Sequence, residues 1–199
     1  MDVCNRHSIY QMLPGLVVQP KNHQDVVLVQ TLLGEPAFQQ LALTPYGGGT
    51  GTNGQAINDG IVIDCKRYMN AILDMNVSEG WVEVQPGVTL SQLNAYLQPS
   101  GVFFAPDVSP ADRATIGGMV ATDASGKGSK VYGKTSAHLL DACVVLVGGQ
   151  TIECSDQTTP FAQQVQTLLT SVKNTLGDQI QAAFPAMTRE ATGYNLRRA

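Results

Sequence analysis

Charge is scarce in this chain: Asp, Glu, Lys and Arg make up 14% of its residues, against roughly 25% in an average soluble domain. Part of so lightly charged a surface is expected to be covered by another surface. The 12 basic residues are scattered and outnumbered by 16 acidic ones, giving a net charge of -4. That excludes duplex nucleic acid as the main partner, because such affinity rests on neutralising phosphates. Cysteine is equally thin, with Cys4, Cys65, Cys143 and Cys154 spread out and no Cys-x-x-Cys pair, and His7, His23 and His138 are dispersed. This excludes zinc ribbons and secreted disulfide frameworks, and no metal site is expected. No apolar run approaches the ~20 residues that span a bilayer, and the opening MDVCNRHSIY has no basic region leading into an apolar core. The expectation is a soluble, cytoplasmic protein with no membrane span. Its 199 residues are enough for one domain or two small lobes with a real core, without stapling.

The residues that are present organise into short apolar runs separated by turn chemistry. Leu16 to Gln19 reads as a strand closed by Pro20. Asn22 is placed to cap a helix carrying Val26, Val27, Leu28, Leu32 and Leu33, ended by Gly34 and Pro36. Strands are expected over Leu41 to Thr44 and Ile61 to Asp64, giving a small α/β opening. Further on, Ala71 to Met75 and Trp81 to Gln85 flank the turn-prone Asn76 to Gly80, and Thr89 to Leu97 has helical spacing stopped by Pro99 to Gly101. Cys143 to Val147 reads as a strand that turns at Gly148-Gly149 into TIEC, a hairpin. Phe161 to Ile180 is helix-prone, and the end is polar and basic at Arg197-Arg198.

The densest chemical signal is GGGTGTNG, Gly47 to Gly54, with glycine at five of eight positions between two expected strands. Successive amides free of Cβ obstruction can form an anion nest, suited to phosphate or pyrophosphate; the plain alternative is a mobile linker. Gly49, Gly51 and Gly54 also fit G-x-G-x-x-G, but only Gln55 to Ile57 precede the next turn, so the long helix of a dinucleotide fold has no room. A second formal match, Gly128, Gly133, Lys134 and Thr135, fits the P-loop of an NTPase, although TDASGK before it is not an apolar strand. The third candidate is TIGGMVATDASG, Thr115 to Gly126, preceded by PDVSP. Its paired glycines permit close backbone approach and its hydroxyls can donate to phosphate, or the glycines simply serve helix packing.

Taken together, PYGGGTGTNG, QPGVTLSQLN, APDVSPADRATIGGMVATDASG and VYGKTSAHLL, with HSIYQMLP at the start, resemble the FAD-binding domain of the vanillyl-alcohol oxidase/p-cresol methylhydroxylase superfamily. The nearest likeness is its bacterial FAD-linked oxidase branch, which includes D-2-hydroxyglutarate dehydrogenase-like proteins. The resemblance implies an α+β fold of two α/β lobes with the cofactor between them, a first lobe over 14–75 and a second over 76–199. It places the FAD pyrophosphate on Gly47, Gly48, Gly49, Thr50 and Gly51 with Asn53 nearby, and sets Thr115, Gly117, Gly118, Thr122, Ser125 and Gly126 along the cofactor with Pro106 close by. Thr50 stands where some covalent relatives have histidine, which implies non-covalent FAD.

The same resemblance implies flavin-dependent oxidation of a small 2-hydroxy acid in a full-length protein. An iron-sulfur cluster would lie only in a part absent here. The chain, ending at TGYNLRRA, reads as a fragment inactive alone, with its substrate domain missing. Two residues depart from the family pattern: Tyr46 stands where many relatives have arginine, and Asp123 where many have asparagine. No catalytic base is assigned, His23 and His138 reading as surface or packing histidines. Tyr132 and Lys134 are candidate flavin neighbours, with a solvated Lys134 as the ordinary alternative. The rival functions are a P-loop NTPase and a non-catalytic glycine-rich interaction module.

Overall fold

The computed structural model describes residues 9–184, so Cys4, His7 and the basic end at Arg197-Arg198 lie outside the described residues. It divides into two compact units: the described residues up to Leu139 together with Val145–Thr151, and Leu140–Val144 together with the described residues from Ile152 onward. Both glycine-bearing segments belong to the first unit.

That unit opens with strand β1 (Leu16–Val18), helix α1 (His23–Leu33), strand β2 (Leu43–Tyr46) and strand β3 (Ile61–Asp64). Asn22 caps α1 as its sequence position predicts, its side chain accepting from the Asp25 amide at 3.0 Å. Gly34 ends the helix with an ordinary right-handed φ of -74°. Its lack of a side chain serves a different purpose, since a Cβ there would stand 2.8 Å from the Gly148 Cα. The strands form a three-stranded parallel sheet in the order β1-β3-β2. Strand β2 begins two residues later than LALT suggested, because pairing with β3 runs from Leu43–Ile61 to Tyr46–Asp64. It is an edge strand, where Pro45 is tolerated because one side has no ladder to supply. Val62 and Ile63 of the central strand are buried.

Strands β4 (Ile72–Asn76) and β5 (Trp81–Val84) form an antiparallel pair around the expected turn. Asn76 organises that turn, its side chain accepting from the Glu79 amide, and Gly80 takes the left-handed φ of +76°. Helix α2 (Leu90–Leu97) starts with a full capping box: Thr89 accepts from the Gln92 amide while the Gln92 side chain accepts from the Thr89 amide. Gly101, at φ +72°, closes the short 3₁₀ turn that follows. The Val88, Leu93 and Leu97 side chains pack with Ile72, Val82, Val84 and Ile116 to make the core on which the second glycine segment rests.

Helix α3 (Ile116–Ala121) grows out of TIGG, and the four-residue helix α4 (Ser129–Tyr132) follows. Strands β6 (Cys143–Val145) and β7 (Thr151–Glu153) form the expected two-stranded element, with Gly148 and Gly149 both at positive φ. In the second unit, helix α5 (Pro160–Ala183) begins at Thr159, which accepts from the Ala162 amide. The architecture is α+β, as expected. The low charge content has its counterpart in large apolar side chains left exposed, among them Phe103, Val131 and Leu140. Among the described residues, no helix is long and apolar enough to cross a membrane.

Leu93 is 1% exposed at the centre of the α2 core. Leu93→Ala is expected to cost about 2–5 kcal/mol, the usual range for truncating a buried leucine. Urea unfolding of the two proteins side by side measures it.

Candidate functional site

The chain leaves β2 at the buried Tyr46 and enters Gly47 to Gly54 with no helix before β3. The G-x-G-x-x-G spacing therefore lacks the helix N-terminus a dinucleotide fold requires, as its short follow-on predicts. The first two glycines are compelled by close approach. A Cβ at Gly47 would run into the Thr115 hydroxyl, and one at Gly48 into the Arg113 carbonyl oxygen. Gly49 takes φ +60°, and a Cβ there would meet the Tyr46 ring. Gly51 differs, since a Cβ would meet only the movable Gln55 side chain.

Among the described residues, the amides of Gly47, Gly48, Thr50 and Gly51 donate to no protein acceptor. Gly48 is itself buried. More than nine in ten buried backbone donors are satisfied in native structures, so the unsatisfied amide of the buried Gly48, flanked by those of the half-buried Gly47, Thr50 and Gly51, calls for an external acceptor. Asn53, at the exposed margin of the loop, has its amide bonded to the Gln55 side chain at 3.0 Å.

The second segment is built on another plan. Thr115 is 1% exposed and caps α3, accepting from the Gly118 amide. The Ile116 amide donates to Val88 at 2.8 Å and the Gly117 amide to Pro86 at 2.9 Å. Its leading amides are thus satisfied internally. Gly117 is glycine because a Cβ would lie 2.7 Å from the Pro86 Cβ, and Gly126 because a Cβ would collide with the Asp107 carbonyl. Thr122 donates its hydroxyl to the Gly118 carbonyl, and Pro106 is fully buried. The structure therefore brings Gly47, Gly48 and Thr115 together. It gives Gly117 and Gly126 a packing reason for lacking side chains.

A residue that the sequence reading passed over stands at this junction. Arg113 extends its Nη2 to 3.4 Å from the Gly48 carbonyl oxygen, and its Nε is buried with no partner. The available signal was modest: Arg113 is the one basic residue in PADRATIGG.

The P-loop match dissolves in its contacts. Lys134 is only 6% exposed and pairs with Asp123 at 3.1 Å, which corrects its reading as a solvated lysine. Thr135, 1% exposed, donates its hydroxyl to the Ala124 carbonyl at 2.7 Å, so it is not presented to a metal. Gly133 is needed for its backbone, at φ +78° and ψ -154°, a region almost closed to other residues. Asp123 lies at φ +44°, the left-handed conformation that asparagine and aspartate tolerate best. Partial burial alone would raise its pKa, but hydrogen bonds from Ser136 and the nearby Lys134 ammonium hold the carboxyl below its ordinary value. An acceptor-only carboxylate is thus well matched to this position.

Other reactive types are disengaged. The His138 ring lies edge-on to Phe104 and reaches the Tyr132 carbonyl at 2.7 Å, while His23 contacts the Thr151 hydroxyl. Burial and the neighbouring Asp64 push the Cys65 thiol up to about 11, and burial and Glu153 push Cys143 to about 11. Neither thiol is a nucleophile at neutral pH. Tyr132 is half-exposed, edge-on to Phe103. The described residues hold no group of three potential metal ligands.

A family model described as an FAD binding domain matches residues 14–155. A D-2-hydroxyglutarate dehydrogenase of Pseudomonas putida is 48% identical over 96% of this chain, and one of Escherichia coli is 45% identical over 96%. The chain spans 20% of the length of each. A solved alkyldihydroxyacetonephosphate synthase superposes with a TM-score of 0.61 at 26% identity, covering 70% of this chain and 25% of that one.

The Asp123–Lys134 pair gives a signed pH effect. Because the Asp123 pKa is depressed on folding, its contribution is complete above its unfolded value, ~3.9, and is lost as pH falls through the lower folded value. Asp123→Asn, which removes the carboxylate 3.1 Å from the Lys134 ammonium, is expected to cost about 1–3 kcal/mol at pH 7. That is less than for a fully buried pair, since the Asp123 side chain is 31% exposed. Denaturant titrations from pH 7 to pH 3 should show the gap between variant and parent narrowing at the acid end.

Proposed function

The chain belongs to the FAD binding domain family, and from that premise we propose that it holds non-covalent FAD, with the cofactor's pyrophosphate on the amides of Gly47, Gly48, Thr50 and Gly51. The observation that carries this reading is the row of amides with no protein acceptor, one of them on a buried glycine. Successive outward amides in a loop form an anion-binding concavity. The residues fit the group: any side chain at Gly47 or Gly48 would fill the space and displace Thr115 or Arg113.

Within this proposal Gly49 supplies the left-handed turn, and Asn53 lies at the loop's outer margin. Gly117, Gly118, Thr122, Ser125 and Gly126 form the wall along the rest of the cofactor, with the buried Thr115 and Pro106 backing it. A first lobe over 14–75 and a second over 76–199 belong to the same reading, the β4–β5 pair lying across that line.

The flavin, when bound, supplies the acceptor for two electrons and a proton equivalent. The chain's own residues bind and orient. The loop amides complement the diphosphate charge without a metal, and the Asp123–Lys134 pair fixes the turn between α3 and the Thr135 segment. For the whole protein we propose oxidation of a small 2-hydroxy acid of the kind named in its relatives, 2-hydroxyglutarate. Substrate contacts and any iron-sulfur centre would come from residues beyond this chain's share of those relatives' length. The free Cys65, Cys143 and Cys154 thiols support a reducing, cytoplasmic setting.

Gly51→Asp tests the cradle with little risk to the fold, because only the Gln55 side chain need move. It sets a carboxylate beside the diphosphate and is expected to weaken FAD binding by about tenfold or more. The change is read from quenching of flavin fluorescence, with thermal unfolding confirming that the fold is kept. Unaltered FAD affinity in a folded Gly51→Asp protein would move the pyrophosphate elsewhere.

A further inference from the structure

We propose that Arg113 is the cation of this anion site, supplying the positive charge that the glycine loop's neutral amides lack. The inference rests on the reading of Gly47 to Gly51 as the FAD pyrophosphate site and adds a residue to it. A guanidinium has five N–H donors and stays charged at any physiological pH. Arg113 uses one of them on the Gly48 carbonyl at 3.4 Å, and its Nε is buried without a partner. Among the described residues it forms no ion pair, although the neighbouring Asp112 is at hand; that carboxylate instead accepts from the Ser91 hydroxyl at 2.7 Å.

A half-buried cation without a counter-ion costs free energy unless an anion arrives. Here the cation is held against the very loop whose amides also lack acceptors. Two independent deficits, unpaired donors on Gly47, Gly48, Thr50 and Gly51 and an unpaired charge on Arg113, meet at Gly48. Both are met by one ligand chemistry, a diphosphate. The backbone secures the arrangement, because the Arg113 carbonyl occupies the space a Gly48 side chain would take. The Arg113 backbone cannot drift from the loop without opening that contact.

The test compares FAD, ADP and riboflavin binding by the parent chain, Arg113→Gln and Arg113→Lys across a range of salt. ADP carries the diphosphate without the flavin, and riboflavin the flavin without phosphate. Arg113→Gln is expected to weaken FAD and ADP by about ten- to hundredfold, the worth of a charged hydrogen bond. It should also flatten the salt dependence of FAD binding while leaving riboflavin unchanged. Arg113→Lys, which keeps the charge on a similar stem, should keep the salt dependence and stay within about tenfold of the parent; it carries the test if the glutamine variant unfolds. If Arg113→Gln binds FAD within about twofold of the parent, or weakens riboflavin as much as FAD, the arginine merely braces the loop and the inference is wrong. A parent chain that binds neither FAD nor ADP would instead overturn the FAD reading, and the arginine's role with it.

Discussion

The site depends on one backbone contact, the approach of Gly47 and Gly48 to the Arg113–Thr115 segment. Only a residue without a Cβ can occupy either position, since the Thr115 hydroxyl and the Arg113 carbonyl already fill the space. The contact joins a loop that follows a parallel strand to a segment whose place is set by other bonds. Ala114 accepts from the Leu90 amide and Ile116 donates to Val88, so the Arg113–Thr115 stretch is registered against the start of α2. Helix α2 is in turn anchored by its capping box and by Leu93 and Leu97 in the core. The chain of dependence runs from apolar packing, through two backbone hydrogen bonds, to four amides left without a protein acceptor.

The two glycine-rich segments look alike in sequence and behave differently in space. In the first, the Gly47, Gly48, Thr50 and Gly51 amides donate to no protein acceptor, and the missing side chains of Gly47 and Gly48 make room for Thr115 and Arg113. In the second, the Ile116, Gly117 and Gly118 amides are all engaged, and Gly117 and Gly126 are small so that Pro86 and Asp107 can approach. Composition alone cannot separate these cases. Both need glycine for close approach of a neighbouring segment, and they differ in hydrogen-bond supply.

Local patterns were legible where a single side chain decides a local outcome. Asn22 and Thr89 capped the helices they precede, and the paired glycines turned β6 into β7. The start of β2 was missed by two residues because its limits are set by register with β3, a partner many residues away. Lys134 was misread for a similar reason: lysine alone suggests solvent, and only the fold brings Asp123 to it and buries the pair's cation. That pair also accounts for a departure from the family pattern, since an aspartate in the left-handed conformation can accept from both Ser136 and Lys134. Arg113 escaped notice because its significance lies in the absence of a counter-charge, which no short motif records.

The central claim is that four particular backbone amides hold the diphosphate of FAD, and amide NMR reads those atoms directly. With FAD added to the isotopically labelled chain, the account predicts large shifts and slowed hydrogen exchange at Gly47, Gly48, Thr50 and Gly51. The Gly80 and Gln85 amides, bonded within the β4–β5 hairpin away from the loop, should keep their exchange rates. Saturating FAD that leaves the four loop amides unshifted and freely exchanging would contradict the account at its root.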